Sequence, residues 1–186
     1  MGTPPIAAML LKVIGSGVPF FAPFTGAGFA RPKGVRNILP VRASYAEEAQ
    51  KAAQHLVTIG IRRIAIAFQD NAFGREVIEG TRAAVQQYKL SALPTVSVNL
   101  DGSNLAAAVA AIADTKSDAL IVGLAGRPAI DFIKAVRTTQ PGLSLYAASV
   151  LGAAGTIEAP GEDGVGIVIS QVVPSPLSPI LIPRRF

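Results

Sequence analysis

No cysteine occurs among the 186 residues, and His55 is the one histidine. The first absence excludes disulfide frameworks, cysteine-based zinc sites and thiol nucleophiles, and the second excludes any site that needs two imidazoles. A histidine-dependent triad has only His55 to build on. Charge is scarce too: 16% of the residues are charged, against about 25% in an ordinary soluble domain. The 50% hydrophobic content is nevertheless too high for a disordered chain. The net charge of +5 is scattered over Arg31, Lys33, Arg36, Arg42, Arg62, Arg63, Arg184 and Arg185 and forms no basic block interleaved with aromatics. Composition therefore points to no nucleic-acid partner.

Long uncharged runs do exist, but they are broken. Thr138 to Ile157 contains Pro141 and several glycines, and Gly164 to Pro183 contains four prolines; neither reads as a spanning helix. The opening MGTPPIAAMLLKVIGSGVPFF has Pro4 and Pro5 where a signal peptide carries Lys or Arg, so no export signal is expected in this chain. No G-x-S-x-G, Walker or metal-ligand spacing occurs. Gly26, Gly28 and Glu47 mimic a dinucleotide fingerprint, yet Pro32 and Gly34 break the helix on which a pyrophosphate would sit. Neither a cofactor nor a metal is expected, and no nucleophile and base set marks an enzyme.

What is present is a regular alternation of helix and strand. Thr3 as cap and Pro4 at the first turn open a helix that Gly15 and Gly17 end before the apolar run Val18 to Phe24. Asn37 to Arg42 is a second extended piece. Ser44 and Glu47 then form a capping box, followed by a helix with Ala49, Ala52, Ala53 and Leu56 on one face and Gly60 at its end. Ile64 to Phe68 is a buried strand, and Val77, Thr81, Ala84, Val85 and Tyr88 line the next helix. The unit repeats: strand Leu93 to Val98, a helix capped by Ser103, strand Asp118 to Val122, and a helix carrying Ala129, Phe132, Ile133 and Val136. Strands Leu143 to Ala147 and Gly166 to Ser170 follow. The pattern predicts an α/β fold, a Rossmann-like parallel sheet covered on both faces. Ligands of such sheets bind beyond the carboxyl ends of the strands, here the loops after Phe24, Phe68, Val122 and Ala147.

Four phrases at these loops carry a resemblance. GTPPIAAMLLKVIGSGVPFFAPFTGAGFARP, VRASYAEEAQKAAQHLVTIGIRRIAIAFQDNAFGRE, VIVGLAGRPAIDFIKAVR and VGIVISQVVPSP, in that order, resemble the type I periplasmic solute-binding proteins of ABC transporters, particularly the leucine/isoleucine/valine-binding branch. The resemblance covers roughly residues 2 to 176. It implies two Rossmann-like lobes joined by three crossovers that close on a small ligand, a membrane permease as partner, and the periplasm as location. Family members carry about a hundred residues before the point where this chain starts, and LSPILIPRRF departs from them at the other end. We therefore expect a partial first lobe over residues 1–41, a complete second lobe over 42–171, and a crossover with a proline-rich tail over 172–186. Crossovers fall near Arg42 and near Gln171 to Pro174. The chain reads as a truncated or frameshifted relative, and apolar faces of Val18 to Phe24 left without cover predict aggregation or dimerisation.

The candidate ligand residues are few. Thr25, Gly26 and Ala27 follow a strand directly, so their hydroxyl and amides can face a carboxylate or ammonium, and the resemblance assigns this loop to ligand contact; a simple turn is the alternative. Tyr45 sits in a first helical turn, as an anion-site phenol beside free amides or as a hydrophobic staple. Phe73 occupies a position where relatives often have an aromatic cleft wall, and its ring donates no hydrogen bond; burial in the core is the other reading. Asp70 is placed to meet a ligand ammonium or to cap the next helix. Leu124, Ala125 and Ser149 end later strands, and Ser149 aligns with the family's ammonium-gripping carboxylate, which leaves room for other small carboxylates or amides. Glu47 and Glu48 fit a helix N-terminus better than an acid/base pair, and His55 is expected to be exposed. The leading function is ligand capture by the binding component of a transporter for branched-chain or related hydrophobic amino acids. An α/β enzyme and a non-functional fragment are the alternatives.

Overall fold

The computed structural model describes residues 2–152 and 161–173. Helix α1, Thr3–Ser16, begins with prolines in its first turn and ends on Gly17 at φ 68°. Its cap is Gly2, and the Thr3 hydroxyl bonds Thr25 Oγ1 at 2.8 Å, which corrects the expected Thr3 cap. The following apolar run yields only the short strand β1, Phe20–Phe21, paired in parallel with β2, Ile38–Leu39. A two-residue strand is what a run interrupted by Pro19 and Pro23 permits, since proline donates nothing to a ladder.

The remainder is a five-stranded parallel sheet in the order β4-β3-β5-β6-β7. Its strands are β3, Ile64–Gln69, β4, Thr95–Val98, β5, Ala119–Gly123, β6, Ser144–Ala147, and β7, Val168–Ile169. Period-2 alternation sorts the central strands cleanly. Ile64, Ile66, Ala119 and Ile121 join one core cluster under α2, Tyr45–Thr58, and α3, Ala72–Tyr88. Ala65, Ala67, Leu120 and Val122 join the other under α4, Leu105–Asp114, and α5, Gly126–Thr139. Both faces are covered, as a parallel sheet requires. No helix among the described residues is long and apolar enough to cross a membrane.

Most of the other local signals work as their chemistry dictates. Ser44 Oγ accepts from the Glu47 amide at 3.2 Å while Glu47 receives the Ser44 amide at 2.7 Å, so the capping box is complete. Chain reversal after α2 passes through Gly60 at φ 91°, a left-handed conformation that favours glycine. Ser103 does not cap α4: the cap position is Asn104, whose Oδ1 accepts from the Asn99 amide at 2.9 Å instead of from its own helix. Helices α2 and α3 approach closely because Gly80 lies against the Ala46 carbonyl, where a Cβ would collide with backbone. The expected tail lies outside the described residues from position 174 onward.

Candidate functional site

The connection β3 to β4 moves outward along the sheet, and the next connection returns across β3 to β5. Helix α3 then leaves β3 toward one face and α5 leaves β5 toward the other. Their carboxyl ends therefore border a switch-point crevice, the usual ligand position in such sheets. Gln69 and Asp70 edge it on one side and Leu124 and Ala125 on the other. The start of α2 lies at the same end of the sheet, since α2 runs antiparallel to β3.

The structure brings four expected residues into one contact. Tyr45 and Phe73, 2% and 5% exposed, meet edge to face with centroids 4.5 Å apart. Gly26 lies on the Tyr45 ring so closely that a Cβ would stand 2.8 Å from it, and its carbonyl accepts the Tyr45 amide at 3.0 Å. Ala27 is fully buried beside them. The amides of Ser44, Tyr45 and Glu47 are engaged by the capping box and by Gly26, and of the two readings of Tyr45 the geometry favours packing. Thr25 turns inward as well: its hydroxyl pairs with Thr3 at 2.8 Å and accepts from the Ala27 amide at 3.1 Å, so this hydroxyl and this amide are engaged within the protein. Arg31 pins this loop by donating to the carbonyls of Ala27 at 3.1 Å and of Arg42 at 2.7 Å. Burial, and then the neighbouring Arg42 charge, lower the Arg31 pKa from its ordinary value.

Asp70 stands apart. Its carboxylate is exposed and pairs with Arg75 at 3.0 Å, and the α3 cap belongs to Asn71, whose Oδ1 accepts from the Gly74 amide at 3.0 Å. Ser149 is engaged on every side: its amide and hydroxyl donate to Glu48 at 2.8 and 3.0 Å, and its hydroxyl accepts from Arg42 at 2.7 Å. The neutral position expected there is therefore backed by a carboxylate that pairs with Arg42 and also receives the Ser170 hydroxyl. Glu48 is the residue that sequence reading missed. Its helix-terminal position was visible, but its place on the buried face, one residue before Ala49, was the signal that a charge there needs a partner. His55 is exposed as expected, with Nδ1 3.0 Å from the Tyr146 hydroxyl.

Glu76 reaches from α3 to the first loop and accepts the Gly28 amide. Its pKa is raised by burial, against the opposing effects of that amide and of Arg31. Inside the lobe the space is closed: a cavity among Tyr45, Glu48, Val77, Ile121, Tyr146 and Ser170 measures about 10 Å³, room for roughly one water. Larger hollows of about 290 and 360 Å³ lie toward the amino ends of the strands and along the β4 edge. Arg62 and Lys89, which follow α2 and α3, line the first of these and complement the negative ends of those helices.

The comparisons agree with this architecture. No curated protein sequence matches the chain. A substrate-binding periplasmic protein from Ralstonia solanacearum is similar at 26% identity over 95% of this chain and 50% of its own, with a TM-score of 0.81. A possible leucine/isoleucine/valine-binding protein from Rhodopirellula baltica shares 26% identity over 99% of this chain and 52% of its own, with a TM-score of 0.84. A branched chain amino acid ABC transporter structure from Thermus thermophilus with bound valine shares the fold at 14% identity, covering 99% and 49%, with a TM-score of 0.80. The chain spans about half the length of these structures. The family described as periplasmic binding protein matches residues 1–178. With that match over nearly the whole chain and a parallel α/β lobe of the same fold, the chain belongs to the periplasmic binding protein family.

Proposed function

We infer that the chain supplies the second lobe, residues 42–171, and part of the first, residues 1–41, of a non-enzymatic substrate-binding component of an ABC transporter. The proposed ligand is a branched-chain or related hydrophobic amino acid, captured between the lobes in the periplasm and passed to a membrane permease. The observation that carries this reading is the Tyr45–Phe73 pair beneath the Thr25–Ala27 loop at the carboxyl end of the sheet. We read the loop packed on this pair as part of the wall of the interlobe cleft, and ligand stabilises the closed form in such hinge systems. The name of the Rhodopirellula baltica relative and the valine in the Thermus thermophilus structure support the ligand class. Asp70, exposed at the rim, is the proposed partner of a ligand ammonium. Residues 172–186 are proposed as crossover and tail.

A thermal melt with branched-chain amino acids, aromatic acids and short amides at millimolar concentration tests this. Binding raises the midpoint according to RT ln(1 + [L]/Kd). A cooperative melt raised by the branched-chain class is the expected result. Asp70→Asn, on an exposed side chain, should reduce that shift and leave the shift from acids lacking an ammonium unchanged. A melt that no compound moves would end the proposal.

A further inference from the structure

Glu48 is nearly inaccessible, its side chain 3% exposed, and its two oxygens collect four donors from three residues far apart in the sequence. Oε1 takes Arg42 Nη2 and the Ser149 hydroxyl, and Oε2 takes the Ser149 amide and the Ser170 hydroxyl. Arg42 follows β2, at the start of the passage from the small sheet to α2. Ser149 follows β6, and Ser170 follows β7, one residue before Gln171. Arg42 extends the cluster further: Nη1 donates to the Phe24 carbonyl at 2.8 Å, and the guanidinium lies 5.0 Å from the Tyr45 ring and 5.7 Å from that of Phe24.

An ion pair buried for stability alone is poorly repaid, since removing two charges from water offsets much of their attraction. Here one carboxylate instead joins the segment that enters α2 at Arg42 to the segment that follows β7 at Ser170. We propose that Glu48 is a hinge staple, a positioning residue that fastens the segments at Arg42 and Ser170 to the first turn of α2 so that they move as one. The identification of these segments as crossovers rests on the two-lobe reading above. The staple acts through Arg42 on the Phe24 carbonyl, and so sets how far the Thr25–Ala27 loop can lift from Tyr45. Donors that share one carboxylate are coupled. Losing one lets the group turn toward the others, so the effect spreads beyond the deleted bond.

Amide hydrogen exchange of the 186-residue chain, read by NMR without ligand, tests this coupling, so a failed ligand melt and a failed staple remain separate results. The mild variant is Ser170→Ala, which removes one hydroxyl. The expected result is exchange about fivefold faster or more at the Ser149 amide and at the Tyr45 amide, which is held by Gly26, with Ile66 and Ile121 in the central strands unchanged. Glu48→Gln should extend the same pattern with a larger increase. Faster exchange confined to the neighbours of position 170, a uniform increase at every amide, or no change would each overturn the proposal. If Glu48→Gln does not fold, the Ser170→Ala result decides alone.

Discussion

Glu76 shows how one carboxyl can be held against its own preference. Burial raises its pKa, while the Gly28 amide and Arg31 pull it down. A carboxyl whose folded pKa lies above its unfolded value costs stability where it is ionised, and that cost disappears as pH falls below the unfolded value. Glu76→Gln keeps an oxygen for the Gly28 amide and removes the charge. Its melting temperature should lie at or above that of the original chain near pH 7, and the gap should close toward about pH 4. A variant that melts lower near pH 7, with the deficit closing at low pH, would show that Arg31 and the Gly28 amide outweigh burial. Glu47 has the opposite sign: the Ser44 amide and hydroxyl depress its pKa, so its contribution is complete above the ordinary carboxylate value and is lost as pH falls through the folded one. Of the candidate site, the positions of Gly26, Ala27, Tyr45 and Phe73 were legible because loop and aromatic signals sit beside strand ends. The bonding of Ser149 was not, because its partners Arg42 and Glu48 are remote in sequence and only the fold brings them to it.

Elements were legible where a local rule and a tertiary demand coincide. The capping box, the buried faces of α2, α3 and α5, and strands β3 and β5 satisfy both, and each lies within a residue or two of its expected place. Misreadings arose where a polar side chain found a better partner than its own helix, as with Thr3 on Thr25 and Ser103 on Asn99. The value of the box on α2 can be measured. Ser44→Ala removes the acceptor of the Glu47 amide and should cost about 1 kcal/mol in denaturant unfolding, with an unchanged slope. Gly80→Ala is the harsher case, because the added methyl meets the Ala46 carbonyl and not a side chain that can swing aside. Overpacking against backbone should cost about 3 kcal/mol, and an unaltered midpoint for this variant would show that α2 and α3 can slide apart.

The whole molecule is uneven in how it covers its apolar surface. Phe21, Phe24, Leu39 and Val41 are between 44% and 70% exposed, and all lie on or beside the two-stranded sheet, whereas β3 and β5 are enclosed on both faces. Leu11 of α1 and Val18 add to the same region at 80% and 62%. Exposed apolar groups scattered singly need no explanation, but several on and beside one small sheet are expected to promote self-association. Each fully covered aromatic or branched side chain contributes roughly 1.5–3 kcal/mol, so partial cover of several in a symmetric contact exceeds what a weak dimer requires. The purified 186-residue chain should accordingly scatter light with a mass that rises with concentration from a 19.2 kDa monomer. Phe21→Ser together with Leu39→Lys should hold it at the monomer mass without lowering the melting temperature of the five-stranded lobe, since neither side chain enters its core clusters. If the original chain stays monomeric at high concentration, the exposed strip is not an association surface. If the double variant melts lower, the small sheet supports the lobe more than the packing indicates, and the strip has a structural part that its exposure conceals.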